Sequence, residues 1–116
     1  MTKQDLISYC LHKENTYEDY PFGPEWALMR HKANKTSFAA IFEHSFNNGE
    51  APRLCINLKC EPELAEFLRE QYKDIIPAYH MNKLHWNTVI MGGDVPDAET
   101  MKFIDMSYEM TKPKRN

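Results

Sequence analysis

Between His80 and Val89 the chain crowds two imidazoles, two carboxamides, an ammonium and an indole into His80-Met81-Asn82-Lys83-Leu84-His85-Trp86-Asn87-Thr88-Val89. A segment that only turns and enters a strand needs far fewer donors and less aromatic surface. Lysine and asparagine suit phosphate oxygens and base edges, and tryptophan suits stacking. The plainer alternative puts Trp86 in the core and has His80 and Asn82 hydrogen-bond the bend's own backbone. A second basic group, Arg30, His31, Lys32 and Lys35, surrounds a predicted hairpin turn. Lys59 ends a strand on the side opposite Leu58.

Other chemistries find less support. Zinc is usually held by about four ligands in tight pairs. His80 and His85 stand five apart across a bend, with Cys60 upstream and no second pair, so neither a metal nor another cofactor is expected. Nucleophilic catalysis needs a base and a carboxylate beside the nucleophile. No pattern places them beside Cys55, and no serine sits in a G-x-S-x-G elbow. The paired acids Glu61-Glu63 and Glu66-Glu70 read as the solvated side of a helix. With four glycines in all, and Gly92-Gly93 closing a strand, no phosphate-cradling loop is present. The chain is not expected to be an enzyme.

Composition narrows the field further. At 116 residues, 42% hydrophobic and 27% charged, the chain reads as one globular domain over 1–116. A formal net charge of −3 excludes a protein coated in basic charge, so any nucleic-acid contact must use a local patch. Three cysteines without a C-x-x-C pair suit a reduced, cytoplasmic setting. The N-terminus has no apolar signal segment, and no apolar run reaches the roughly 20 residues of a membrane helix.

The elements that must position these groups follow from periodicity. Residues 2–13 read as an amphipathic helix with Thr2 as N-cap and Asp5 in its first turn. The stretch 15–25, holding Pro21, Gly23 and Pro24, reads as a loop whose Tyr17, Tyr20 and Phe22 lie back over the core edge. Strands are predicted over 26–32, 36–46 and 53–59, with Phe38, Ala40 and Phe42 sharing one face of the second. In the third, Leu54, Ile56 and Leu58 oppose Arg53, Cys55, Asn57 and Lys59, giving one buried face and one partly wet face. A second helix opens at Pro62 with a buried stripe of Leu64, Phe67, Leu68 and Tyr72. Residues 75–79 suggest an edge strand, because Pro77 cannot donate to a central ladder. A strand over 85–91 follows, then a helix capped by Asp97, and a basic tail, Lys112 to Arg115. The order α-β-β-β-α-β-β-α predicts an α+β fold in two layers, with an antiparallel sheet of about five strands and three helices on one side.

Leu58-Lys59-Cys60 with Pro62-Glu63, then Pro77-Ala78-Tyr79-His80-Met81-Asn82-Lys83 and His85-Trp86-Asn87-Thr88-Val89, resemble the MmcQ/YjbR family. The resemblance runs across nearly the whole chain and includes Pro21-Phe22-Gly23 followed by Trp26. It implies a compact domain of the secretion-chaperone or frataxin-like kind. It also implies DNA binding through a double-wing arrangement of hairpins. On this chain the implied contacts are the turn from Lys32 to Lys35 and the segment carrying His80, Asn82, Lys83 and Trp86. Lys59 supports that surface and Arg30 adds a phosphate contact. A module with only ~3 to 4 phosphate contacts binds weakly near physiological salt, and a homodimer would double that number. The alternative expectation is a chaperone-like or protein-interaction module that uses the exposed sheet face.

Overall fold

In the computed structural model, which describes residues 1–114, six strands and three helices run α1 (Lys3–Leu11), β1 (Thr16–Asp19), β2 (Ala27–His31), β3 (Ser37–His44), β4 (Arg53–Lys59), α2 (Pro62–Gln71), β5 (Ile75–Pro77), β6 (Trp86–Ile90) and α3 (Asp97–Thr111). Arg115, the last residue of the expected basic tail, lies outside the described residues. The fold is α+β, as periodicity predicts. The strands form one antiparallel sheet in the order β1-β2-β3-β4-β6-β5, one strand more than expected. The additional strand is β1, which lies in the stretch read as a loop. Its four residues lack an alternating apolar pattern and are held instead by pairing Thr16 to His31 and Asp19 to Leu28 on the sheet edge. As expected of a proline-bearing segment, β5 closes the opposite edge.

All three helices pack on one face of the sheet. Leu6, Ile7 and Cys10 of α1, Ala65 and Leu68 of α2, and Ile104 and Tyr108 of α3 meet Met29, Ile41, Ile56, Leu58 and Val89 from the strands. Thr2 Oγ1 accepts from Asp5 N at 3.1 Å while the Asp5 carboxylate accepts from Thr2 N at 2.8 Å, a reciprocal capping box that starts α1. In α2 the buried residues are Ala65 and Leu68, and Phe67 is 52% exposed. The helix lies on the sheet along the Leu64–Ala65–Leu68 edge, so Phe67 points to solvent rather than into the predicted stripe. The N-cap of α3 is Pro96, one residue before Asp97, whose carboxylate instead holds the Met1 ammonium at 3.1 Å. No helix of the described residues is long and apolar enough to cross a membrane.

Period-two alternation fails at one place. A register shift between Met29 and Arg30 turns Phe38 to the helical face, beside His31 and Tyr108, rather than leaving it with Ala40 and Phe42. Ser107 of α3 fills the gap that this bulge opens in the ladder. Its hydroxyl donates to the Phe38 carbonyl at 2.6 Å and accepts from the Lys59 amide at 2.9 Å.

The face away from the helices is not the open plane suggested by alternation. Phe42, Cys55 and Ile90 form a second small core there, under Trp26, Phe46, Ile76 and Tyr79. Cys55, expected on a partly wet face, is fully buried, and burial pushes its thiol up to about 12. Trp26 of that cover precedes β2 and Tyr79 follows β5, and the candidate cleft lies between the two loops that carry them.

Candidate functional site

Strand register places most of the singled-out residues at one end of the sheet. Residues directly opposite on paired strands share a face. Lys59 of β4 stands opposite Trp86 of β6, and Arg30 of β2 stands opposite both Tyr17 of β1 and Ser37 of β3. This row belongs to the face away from the helices, because Asn57 and Thr88, two residues along from Lys59 and Trp86, hydrogen-bond each other there. The turn carrying Lys32 and Lys35 leaves β2 at the same end, and so does the segment 78–85 that follows β5. From β2 to β6 is three strand spacings, about 14 Å.

Segment 78–85 is tied down on both sides. On the open face Asn57 Nδ2 donates to the Tyr79 carbonyl at 2.9 Å, and Tyr79 N donates to Thr88 Oγ1 at 2.9 Å. The Thr88 hydroxyl closes the ring of contacts by donating to Asn57 Oδ1. At the other end Arg69 of α2 donates from Nε to Asn87 Oδ1 at 2.6 Å, and from Nη2 to the carbonyls of Trp86, at 3.4 Å, and Lys83. These anchors hold His80 with φ of +62°, a backbone position that favours glycine or asparagine. The imidazole tilts against Tyr79 at 4.0 Å and Trp26 at 5.8 Å between ring centroids. Lys35 also sits at a positive φ, +60°, held by its amide bond to the His31 carbonyl at 2.9 Å. Neither backbone position selects for a basic side chain.

The predicted contacts divide into free cations and structural groups. Among the described residues, no carboxylate lies within 4.0 Å of the ammonium of Lys32, Lys35, Lys59 or Lys83. Arg30, expected as an accessory phosphate contact, is neutralised by Asp19, with Nε to Oδ2 at 2.8 Å, and also donates to the Lys35 carbonyl at 2.9 Å. It braces the turn. Asn82 is likewise occupied, since its Oδ1 accepts from Leu84 N at 2.8 Å and its carbonyl accepts from Trp86 N at 3.0 Å. That is the bend-stabilising role named as the plainer alternative.

Beside this row lies a cleft of about 500 Å³ that the sequence reading did not single out. Its floor is Leu28, Ser37 and Ala40, one wall is Phe22 and Trp26, and the other is His80 and Met81. Trp26 lies flat on Phe42, with ring centroids 4.1 Å apart and 10° between planes, which fixes its indole as a wall. Phe22, expected to lie back over the core edge, projects into solvent at 73% exposure, because the Pro21–Pro24 turn carries it off the sheet. Three aromatics in a proline- and glycine-bearing loop were the available signal. Among the described residues no three His, Cys, Asp or Glu side chains converge to hold a metal ion.

The YjbR family model matches residues 11–110. The chain belongs to the YjbR family. It is 34% identical to the uncharacterized protein YjbR of Escherichia coli K12 over 109 residues, covering 94% of this chain and 86% of that one. It is 32% identical to the uncharacterized protein YyaQ of Bacillus subtilis strain 168, covering 97% and 99%. A crystal structure of a Pseudomonas syringae protein superposes with a TM-score of 0.87 at 35% identity, over 97% of this chain and all of that one. A Deinococcus radiodurans protein with a DUF419 domain gives 0.81 at 30% identity, over 97% and 80%. Both solved structures carry the same sheet-and-helix arrangement over 97% of this chain.

Proposed function

We propose that this YjbR-family chain is a non-enzymatic DNA-binding module whose contact surface is the Lys59–Trp86 end of the sheet. The observation that carries this reading is the gathering of Lys32, Lys35, Lys59 and Lys83 at one end of the sheet, each without a carboxylate partner among the described residues. Other cations of the chain are engaged: Lys13 with Asp105, Arg30 with Asp19, Arg53 with Asp74, Lys102 with Glu99 and Lys112 with Glu109. Seven lysines lack a carboxylate partner among the described residues, and the four at this end of the sheet present a local positive field on an acidic molecule. Such a field orients a polyanion onto one end and limits the footprint to a few phosphates.

Fluorescence anisotropy of a labelled random-sequence DNA, titrated at several salt concentrations, tests the reading. Four phosphate contacts give a log–log salt slope of about −3 to −4. Lys59→Ala and Lys83→Ala each weaken binding to all sequences about equally and flatten the slope by about one unit. Arg30→Ala leaves the slope unchanged, since Asp19 already holds that guanidinium. Absence of binding at low salt, or slopes indifferent to both lysines, refutes the reading.

A further inference from the structure

We infer that the cleft beside the lysine row receives an unpaired nucleobase, so that the preferred ligand of this surface is single-stranded rather than duplex DNA; the inference rests on the DNA-binding reading above. Three observations converge on it. The cleft is walled by three ring systems, of which Phe22 is the most open. Trp26 is pinned on Phe42, Phe22 is 73% exposed, and His80 tilts toward Trp26 from the opposite loop. Its floor narrows to Ser37 and Ala40, the smallest side chains on that face of β3, which leaves room where a longer residue would fill the space. Its mouth is flanked by unpaired cation. Ser37 lies between the Lys32–Lys35 turn and the end of β4 at Lys59.

A duplex presents its bases edge-on within grooves, with their faces covered by stacking, and cannot lay a base plane against the exposed Phe22 ring at the mouth of the cleft. A single strand turns its bases outward from the phosphates, so bases stack on aromatic side chains while the backbone follows the basic track. A cleft on a sheet face beside a short row of lysines matches that division. A duplex-binding protein typically gathers more phosphate contacts than the four lysines here provide. The cleft residues supply no base-specific hydrogen-bond pattern beyond Ser37 and His80, so binding is expected to be tolerant of sequence.

The test compares an oligothymidylate of about 12 nucleotides with a duplex of the same length, by anisotropy and by tryptophan emission, on the full chain. The single strand is expected to bind about tenfold or more tighter and to quench emission from the indoles at the site. Phe22→Ala removes a solvent-exposed ring, and His80→Asn keeps a residue that accepts a positive φ, so both variants fold. Each is expected to weaken single-strand binding by about fivefold or more while leaving the salt slope unaltered, which separates stacking from charge. Equal affinity for duplex and single strand overturns the inference. So do Phe22 and His80 variants that bind normally while Lys59→Ala still weakens binding; in both cases the electrostatic reading stands alone. Failure of either DNA to bind at low salt removes the DNA-binding reading and the inference together.

Discussion

Substituting Asn57 with alanine is expected to destabilise the whole fold and to release the wall of the cleft. Asn57 is fully buried, its amide donates to the Tyr79 carbonyl at 2.9 Å, and its carbonyl oxygen accepts from the Thr88 hydroxyl. The substitution strands one acceptor and one donor beneath segment 78–85. Each buried polar group left unpaired costs about 1–3 kcal/mol, with the half-buried Tyr79 at the lower end, so the expected loss is about 2–4 kcal/mol. With a urea m-value of about 1.5 kcal/mol/M, the unfolding midpoint falls by about 2 M. Thr88→Val keeps the side-chain shape but strands Asn57 Oδ1 and Tyr79 N, at a similar cost. Because the two side chains share one network, the double variant loses less than the sum of the single losses, by about 1 kcal/mol. Amide exchange across residues 78–80 accelerates in parallel with the equilibrium loss. A midpoint shift equivalent to less than about 0.5 kcal/mol, or strict additivity of the pair, would refute the claim that this network positions His80 and Met81.

Further expectations concern the helical side. Ser107→Ala removes the hydroxyl that links the Phe38 carbonyl to the Lys59 amide; urea unfolding is expected to show a loss of about 2–4 kcal/mol, with faster exchange at the Lys59 amide. His31 is buried, and burial holds its imidazole below the ordinary 6.5; its Nε2 lies 2.8 Å from Thr111 Oγ1. The unfolded chain therefore takes up a proton that the folded chain refuses, so stability is full above 6.5 and falls as pH drops below it. His31→Phe is expected to flatten that acid limb in unfolding measured across pH. Gly93 is packed against Asp74, where an added Cβ would overlap the carboxylate, so Gly93→Ala is expected to lower the melting temperature; Gly49→Ala meets no neighbouring atom but strains a backbone at φ +83°.

Local signals in the chain carried much of the architecture. Thr2 and Asp5 start α1 by a capping box readable from spacing alone, and β4 spans Arg53–Lys59 as its alternation predicts. Pro77 marks an edge strand because its missing amide proton excludes a central one. Other features depend on tertiary partners that no local pattern encodes. Thr16–Asp19 becomes a strand only because β2 offers an unpaired edge. Phe38 changes face because it is the extra residue of a bulge in β3 opposite Met29 and Arg30, and Phe67 is exposed because of how α2 is set on the sheet. The lysines of the site were visible as residue types, but Arg30 and Asn82 look the same in sequence whether free or bound to Asp19 and Leu84. The cleft was hidden for a similar reason. Its walls come from two loops far apart in the chain, brought together by Asn57, Thr88 and the stacking of Trp26 on Phe42.

An amide and indole chemical-shift map of the full chain, titrated with a single-stranded oligonucleotide at low salt, asks where on this molecule DNA sits. The account predicts shifts concentrated at Ser37, Lys59, His80 and the indoles of Trp26 and Trp86, with Ala65 and Ile104 on the helical side unmoved. Shifts confined to the helices, or a spectrum that DNA leaves unchanged, would contradict it.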